Sequence, residues 1–578
     1  MHPATAHQRR PPPEQPCSTE SLDQLTQLLS HLLQSTLSIT SFTSRWQCLR
    51  SKLGTLKSVL SEISDSSHWA DNPLLGTLLP DLLLTLRRVE ILCNQCSDPS
   101  FTPGKLLMQS DLDMASGWLS KQTSDLELLL RSGVLHQSTA IVLSHPSANG
   151  PKEDLCFFVK DLFTRLQIGG LEFKRKALDS LIQLLSEDEN SGSVVAKEGN
   201  LNCLIHLLDP IYPDSVRDLA VVAVSMLASA NHLSRKCVFE EGALGPLLRI
   251  IECSSMPLKE KAAMAVEFIT ADPDNAWAIS AYGGVSILIE LCKSGSVTAQ
   301  SYSVGAIRNV CTVEDIRIAL AEEGAIPVLV QLLVCGIPPA QEKAANCVAI
   351  LASSGKFFHS FLLQEKGLQR LLHLLHESSS PETTEHVLQS IYLLSDSHSS
   401  HLTLSGSTKF IIHIAELVKY GSIMLQKICA SLLANLSISD GNKRAIGGCM
   451  GSLVKLMESV KPDGLQEIGT NALVSLLSVS SNRKEFVRDE KSLIKLVHML
   501  DPANDVISKK FPVAVVAALT AGSSHGCRKR LMTAGAYGLG GNNKYVTTPT
   551  IKDFLTIDEE TTSAQETTRA FGIPQMVT

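Results

Sequence analysis

A period of about 42 residues runs through most of this chain, and no other feature limits its fold so strongly. Glycines that close a short helical segment fall at Gly199, Gly242, Gly284, Gly324 and Gly367, in steps of 43, 42, 40 and 43. From Gly367 to Gly451, and again from Gly451 to Gly535, the step is 84, twice the period. An apolar run of helical spacing follows these glycines, as in Ala243 to Leu248, Ala325 to Val330 and Gly451 to Leu456. Glycine suits the left-handed residue that ends one helix, and proline, here Pro246 and Pro327, is tolerated in the first turn of the next. A third, longer segment then carries Ala, Val and Leu at i, i+3, i+4 and i+7, as in 257–270, 339–353 and 423–437. A unit of this size cannot bury its own apolar face and must stack on its neighbours.

Length and charge agree with a stacked array. The chain has 578 residues, more than the ~250–300 over which one core grows. Apolar residues make up 44% but aromatics only 5%, so the core is built from aliphatic side chains, as helix packed on helix. Fifty-one Lys and Arg against 58 Asp and Glu leave a net charge of -7, which disfavours a nucleic-acid partner. The first twenty residues hold five prolines, Pro11, Pro12, Pro13 and Pro16 among them, and no apolar core of signal-peptide length. No apolar run reaches the ~18 residues of a membrane span. His2 and the ending Gln575-Met576-Val577-Thr578 match no common lipidation motif, so no lipid anchor is expected. Fifteen cysteines are spread evenly, most at apolar helical positions such as Cys203, Cys237, Cys253, Cys292, Cys347 and Cys429, where a reduced thiol acts as a small hydrophobe. The expected compartment is the cytoplasm, with nuclear or peripheral-membrane placement left open.

The segment Glu322-Glu323-Gly324-Ala325-Ile326-Pro327-Val328-Leu329-Val330-Gln331-Leu332-Leu333 resembles the turn between the first and second helices of an armadillo repeat. Asn442-Lys443-Arg444-Ala445-Ile446 and Asn482-Arg483-Lys484-Glu485-Phe486-Val487 resemble that repeat's first helix. The resemblance covers roughly residues 153–535, about nine units, and implies an all-α, right-handed superhelical armadillo solenoid. Upstream, Leu22, Leu25, Leu28, Leu29, Leu32 and Leu33 form one stripe and Leu49, Leu53, Leu56, Leu60 and Ile63 another. Two more helical stretches follow at 74–96 and 105–135, so residues 21–135 read as a four-helix bundle. A bundle before armadillo repeats is similar to the plant proteins that place a U-box between the two. No room for a U-box exists before Glu153, so the match is to plant armadillo-only proteins, a group resembling the yeast vacuolar armadillo protein. The expected organisation is a disordered start (1–20), the bundle (21–135), a linker (136–152), the repeats (153–535) and an irregular polar tail (536–578), for which an irregular cap, a disordered end and a splice or gene-model departure from the family's end all stay open, the last preferred.

Candidate chemistry is sparse. Cys93-Asn94-Gln95-Cys96 has redox or metal spacing but no second pair, so a structural role is expected. His373, His376 and Glu377 share a helical face in an order that matches no zinc-hydrolase motif. No phosphate-binding or nucleophile-elbow motif occurs, and Asn435-Leu436-Ser437 is a glycosylation sequon expected to lie in a buried helix. The chain is read as a non-enzyme with no cofactor, metal or small-molecule substrate.

The resemblance implies a concave groove lined by the third helices, on the order of 90 Å long at ~8–10 Å per helix. Nuclear-import receptors of this family carry a Trp and an Asn four residues apart along that groove. The two positions read here as Val222 and Met226, Met264 and Phe268, Gly305 and Asn309, Asn346 and Ile350, Gln389 and Leu393, Ser431 and Asn435, Asn471 and Ser475, and Ala514 and Ala518. Trp stands at none, so binding of import cargo is disfavoured. The candidate partner-binding residues are Met226, Met264, Phe268, Asn309, Asn346, Asn435 and Asn471. An inner asparagine bonds either the main chain of an extended ligand or its own helix, and the sequence leaves both open. Met264 and Phe268 read more readily as core than as an anchor. The expected role is a scaffold or adaptor for other proteins, with ubiquitin ligation in trans and peripheral membrane or cytoskeletal tethering as alternatives.

Overall fold

The computed structural model describes residues 18–538 apart from 67–68, 71, 99–103, 133–134, 136–151, 188–189, 379, 460–462, 502–506 and 522–524. Most of the expected disordered start, the expected linker up to residue 151 and the expected tail from 539 onward lie outside the described residues. Every regular element among the described residues is a helix. The chain divides between Ile287 and Leu288 into two compact units.

In the first unit, helices α1 (Ser18–Ser35), α2 (Thr43–Ser64), α3 (Pro73–Ser97) and α4 (Lys105–Arg131) gather their leucine stripes into one core. Leu25, Leu29, Leu49, Leu53, Leu79, Leu86, Leu112 and Leu119 are all fully buried there, each contributing roughly 2 kcal/mol of transfer free energy before entropy is counted. Asn72 starts α3 by accepting from the Leu74 N–H at 2.9 Å, with Pro73 in the first turn. Phe157, Ile168 and Phe173 pack against the same core, so it extends into helix Lys152–Ile168 and the helix after it. Lys174 folds its ammonium back onto the carbonyls of Leu166 and Gln167, the latter at 3.1 Å, where helix Lys152–Ile168 ends. Three long helices then lie side by side: α5 (Leu171–Glu187), α6 (Asp214–Ala230) and α7 (Met256–Thr270). Shorter helices, among them Leu201–His206, His232–Glu240 and Leu244–Cys253, join and flank them.

The second unit continues the scheme with α8 (Val297–Val310), α9 (Pro338–Ser353), α10 (Pro381–Leu394), α11 (Ile423–Asn435), α12 (Leu465–Leu477) and α13 (Lys510–Thr520), each packed on the next. Hydroxyl caps fix where several begin. Ser296 accepts from Ala299 N–H at 3.1 Å, Ser380 from Thr383 at 3.3 Å and Ser422 from Leu425 at 3.3 Å. The buried face of α9 is largely small, with Ala340, Ala344, Ala345 and Cys347 at zero exposure, which lets its neighbours approach closely. Helices Glu314–Glu322 and Ala325–Cys335 meet at 84° through Gly324. No single helix among the described residues is long and apolar enough to cross a membrane.

The glycine register differs in detail from the sequence expectation. Positive φ falls at Gly242, Gly283, Gly324 and Lys366, whereas Gly284 and Gly367 open the helices that follow. Gly199 is extended, with φ -84° and ψ 144°. Where sequence spacing pointed to Gly284 and Gly367, the left-handed residue is the one before.

Candidate functional site

Successive long helices pack side by side within each unit, and the candidate positions differ in how far they are buried. On α6 and α7, Ala223, Val224, Ala263, Ala265 and Val266 are fully buried, while Val222, Met226, Met264 and Phe268 are half-buried. On these two adjacent helices the four side chains, two methionines and a phenylalanine among them, make a partly open apolar and polarizable strip. Core packing, the simpler sequence reading of Met264 and Phe268, accounts for only part of each side chain.

The second unit offers amides instead. Asn309 on α8, Asn346 on α9 and Gln389 on α10 are half-buried, and Asn435 on α11 and Asn471 on α12 are exposed. At the paired positions Gly305 and Ser475 are buried, and Ile350, Leu393, Ser431, Ala514 and Ala518 are half-buried. Two asparagines bond within the protein. Asn309 Oδ1 accepts from Arg308 Nη2 at 2.9 Å and from its Nε at 3.3 Å. Asn346 Nδ2 lies 3.2 Å from His386 Nε2 on the next inner helix. Burial holds the His386 ring below its usual value against the opposing pull of Glu342, which favours the neutral imidazole that accepts from an amide. Asn435 sits at the exposed end of α11 rather than in a buried helix, and its carbonyl lies 3.2 Å from His401 Nε2.

Two side chains missed by sequence reasoning stand beside these positions. His386 stands forty residues after Asn346, so the repeat period itself places it beside that amide. Lys343 donates to the Ser301 carbonyl at 3.1 Å and lies 5.6 Å from the centroid of the Tyr302 ring, a link between adjacent repeats. Elsewhere, Cys93 is buried and Cys96 half-buried, both reduced. His376 is half-buried, its ring edge-on to that of His413 at 5.5 Å, and His373 is exposed. No cluster of three metal-ligating side chains occurs among the described residues.

Helix triplets stacked through their long inner helices define an all-α armadillo-repeat fold. The family described as armadillo/beta-catenin-like repeat matches residues 272–312. A second family, described as a domain of unknown function (DUF7032), matches residues 23–134, where α1 to α4 lie. Vacuolar protein 8 of Schizosaccharomyces pombe is 26% identical over 295 residues, covering 48% of this chain and 51% of that protein; the chain thus matches about half of the relative's length. An engineered protein of known crystal structure superposes with a TM-score of 0.54 at 22% identity, over 70% of this chain and 96% of that one. A designed armadillo repeat protein in complex with the peptide (KR)4 is 24% identical and covers 40% of this chain and 98% of its own, at a TM-score of 0.37.

Proposed function

We propose that this protein is a non-enzymatic scaffold that holds other proteins along the inner walls of its repeats. One observation carries the reading: Met226, Met264, Phe268, Asn309, Asn346, Asn435 and Asn471, on successive long helices, are half-buried or exposed while most of their immediate neighbours in the chain are buried. A wall kept open in a fixed register is suited to a partner that runs across several repeats. The apolar wall at Val222, Met226, Met264 and Phe268 suits the apolar face of a partner helix. The amides at Asn346, Asn435 and Asn471 suit the main chain of an extended segment. In this reading residues 21–135 supply a second docking surface and residues 153–535 the repeats. Leu84, Ile91, Met114 and Trp118, exposed on α3 and α4, support the former, with the Arg88 guanidinium 5.1 Å from the Trp118 ring.

Proximity labelling in the native cell tests the proposal. The wild type is compared with Asn309→Ala plus Asn435→Ala and, separately, with Met264→Lys plus Phe268→Ser. Each double change is expected to remove a distinct subset of labelled proteins while the helical circular dichroism stays unchanged. An identical set of neighbours in all three would refute binding at the inner walls. The name of the fission-yeast relative supports a second reading, tethering at an endomembrane surface. Salt-sensitive flotation with anionic vesicles is its expected signature. Accessory work in ubiquitin ligation rests on the bundle's resemblance to U-box proteins, and would appear as conjugating enzymes and ubiquitin ligases among the labelled neighbours.

A further inference from the structure

Away from the inner walls, the first unit holds a cavity of about 340 Å³ where one repeat's second helix passes into α6 and meets the second helix of the next repeat. Its walls are chemically divided. Ile205, Leu208, Pro246 and Ile250 make an apolar side, while Arg217, Arg249 and His206 bring nitrogen donors to the same space.

Arg217 is the decisive residue. Its side chain is only 12% exposed. Nη1 donates to Asp214 Oδ1 at 3.1 Å and Nη2 to Ser254 Oγ at 3.3 Å. Its Nε is buried with no acceptor in the protein. A buried charged donor without an acceptor is costly, so the guanidinium as a whole is under-satisfied and gains from a further acceptor reaching its Nη atoms. Arg249 adds a second guanidinium on the exposed side, from helix Leu244–Cys253. Two carboxylates stand near the guanidiniums, and the exposed Arg249 is the one without an ion pair to either. Asp214 is 87% exposed and turned to Arg217, and Asp209 Oδ1 accepts from the Ile211 N–H at 3.1 Å, closing its own turn.

We propose that this cavity binds an oxyanion carried on an apolar peptide side chain or terminus, a phosphate monoester first and a terminal carboxylate second. Two guanidiniums suit a planar or tetrahedral oxyanion through paired donors, and the apolar side takes the adjoining group. The volume, near the lower end for small-ligand sites, fits one phosphorylated or terminal residue with its apolar neighbour. A bilayer is the less suitable occupant, because the site is a recess and the chain carries a net charge of -7. This site is independent of the inner walls, so either reading can fail alone.

The full chain is titrated with 4-fluorophenyl phosphate, 3-(4-fluorophenyl)propanoate and neutral 4-fluorobenzyl alcohol, followed by fluorine NMR. The two anions are expected to bind and the alcohol not. Arg249→Gln, an exposed change, is expected to weaken anion binding about tenfold or more, as loss of a charge-assisted contact does. Arg217→Lys is expected to do the same, with an unchanged urea midpoint showing that the fold persists. Cys253 lines the cavity and is exposed, so the bound anion is expected to slow its alkylation by iodoacetamide while exposed Cys335 reacts as before. A phosphate preference names the first source and a carboxylate preference the second; both support the site. Absence of anion binding, binding indifferent to Arg249→Gln, or an unprotected Cys253 would overturn it. Arg249-dependent binding to phosphoinositide vesicles without binding of the small anions would overturn the peptide occupant in favour of a lipid surface.

Discussion

Gly324 holds φ at +84° between helices Glu314–Glu322 and Ala325–Cys335, and forty-two residues later Lys366 holds φ at +60° before helix Gly367–Glu377. A side chain in that region costs about 1–2 kcal/mol. Space is no obstacle at Gly324, where an added Cβ meets nothing within 4 Å, so its substitution isolates the backbone term. Gly324→Ala is expected to lower stability by about 1 kcal/mol and Lys366→Gly to raise it by about 0.5–1 kcal/mol, read as opposite shifts of the urea midpoint at unchanged slope. Shifts of the same sign would defeat the argument. Gly367 has another reason to be glycine: a Cβ there falls 2.6 Å from the Leu362 carbonyl oxygen. Gly367→Ala is therefore expected to cost about 1–3 kcal/mol through displaced backbone. This explains how much of the turn was legible in the sequence. Both kinds of glycine recur with the period as far as Gly367, so there spacing finds the turn within one residue; Gly535, on the same spacing, lies inside helix His525–Gly538 instead of closing one. Spacing does not separate a glycine kept for its φ from one kept for its closeness, and a lysine in the left-handed region leaves no compositional trace.

Between an inner helix and the short helix after it, the chain turns sharply and leaves carbonyls facing inward without helical partners. The same solution recurs with changing chemistry. Arg235 donates to the Ala228 carbonyl at 3.1 Å, Asn275 to Ile269 at 3.1 Å, Arg317 to Cys311 at 2.8 Å and Asn482 to Leu476 at 3.1 Å, while His359 Nε2 lies 2.7 Å from the Ala352 carbonyl. The basic and asparagine-rich openings of the first helices thus have a structural use, fastening one repeat's end to the next one's start. Asn482 carries two such bonds, the second to the Lys443 carbonyl at 2.9 Å in the preceding repeat, and it is 1% exposed. Asn482→Ala is expected to cost about 1–3 kcal/mol in urea unfolding and to speed amide exchange at the C-terminal end of α12. Asn482→Asp should cost more at neutral pH, because a carboxylate would face two carbonyl oxygens, and the excess should shrink on acidification. Asp behaving like Ala at every pH would show that these bonds are not the fastening. The motif was visible in the sequence as Asn482-Arg483-Lys484. Its geometry was not, since the accepting carbonyls belong to the backbone and have no letter of their own.

At the scale of the whole chain, titration separates surface from core. Burial pushes the thiols of Cys292 and Cys449 up to about 12 and that of Cys203 to about 11. Cys347, packed beside Cys311, and Cys429 are raised as well. Since the thiolate is the reactive species, a thiol reagent is expected to label exposed Cys48, Cys253 and Cys335 in the native protein. Cys292, Cys429 and Cys449 should label only after unfolding, as resolved by peptide mapping. Three histidines make the second unit sensitive to acid. His376 is held below its usual 6.5 first by burial and then by Lys409 and His413. His413 is lowered by burial and Lys409, and His386 by burial with Arg308 assisting against Glu342, Glu385 and Glu382. A folded value below the unfolded one means that unfolding takes up protons, so stability is complete above about 6.5 and falls as the pH drops through that value. The decline stops once the folded value is passed. The urea midpoint of the second unit's transition is therefore expected to fall between pH 7.5 and pH 5.5. Replacing His386 and His413 together by Gln should flatten that fall while leaving the midpoint at pH 7.5 little changed. An equally steep decline in the double variant would assign the acid sensitivity to other groups.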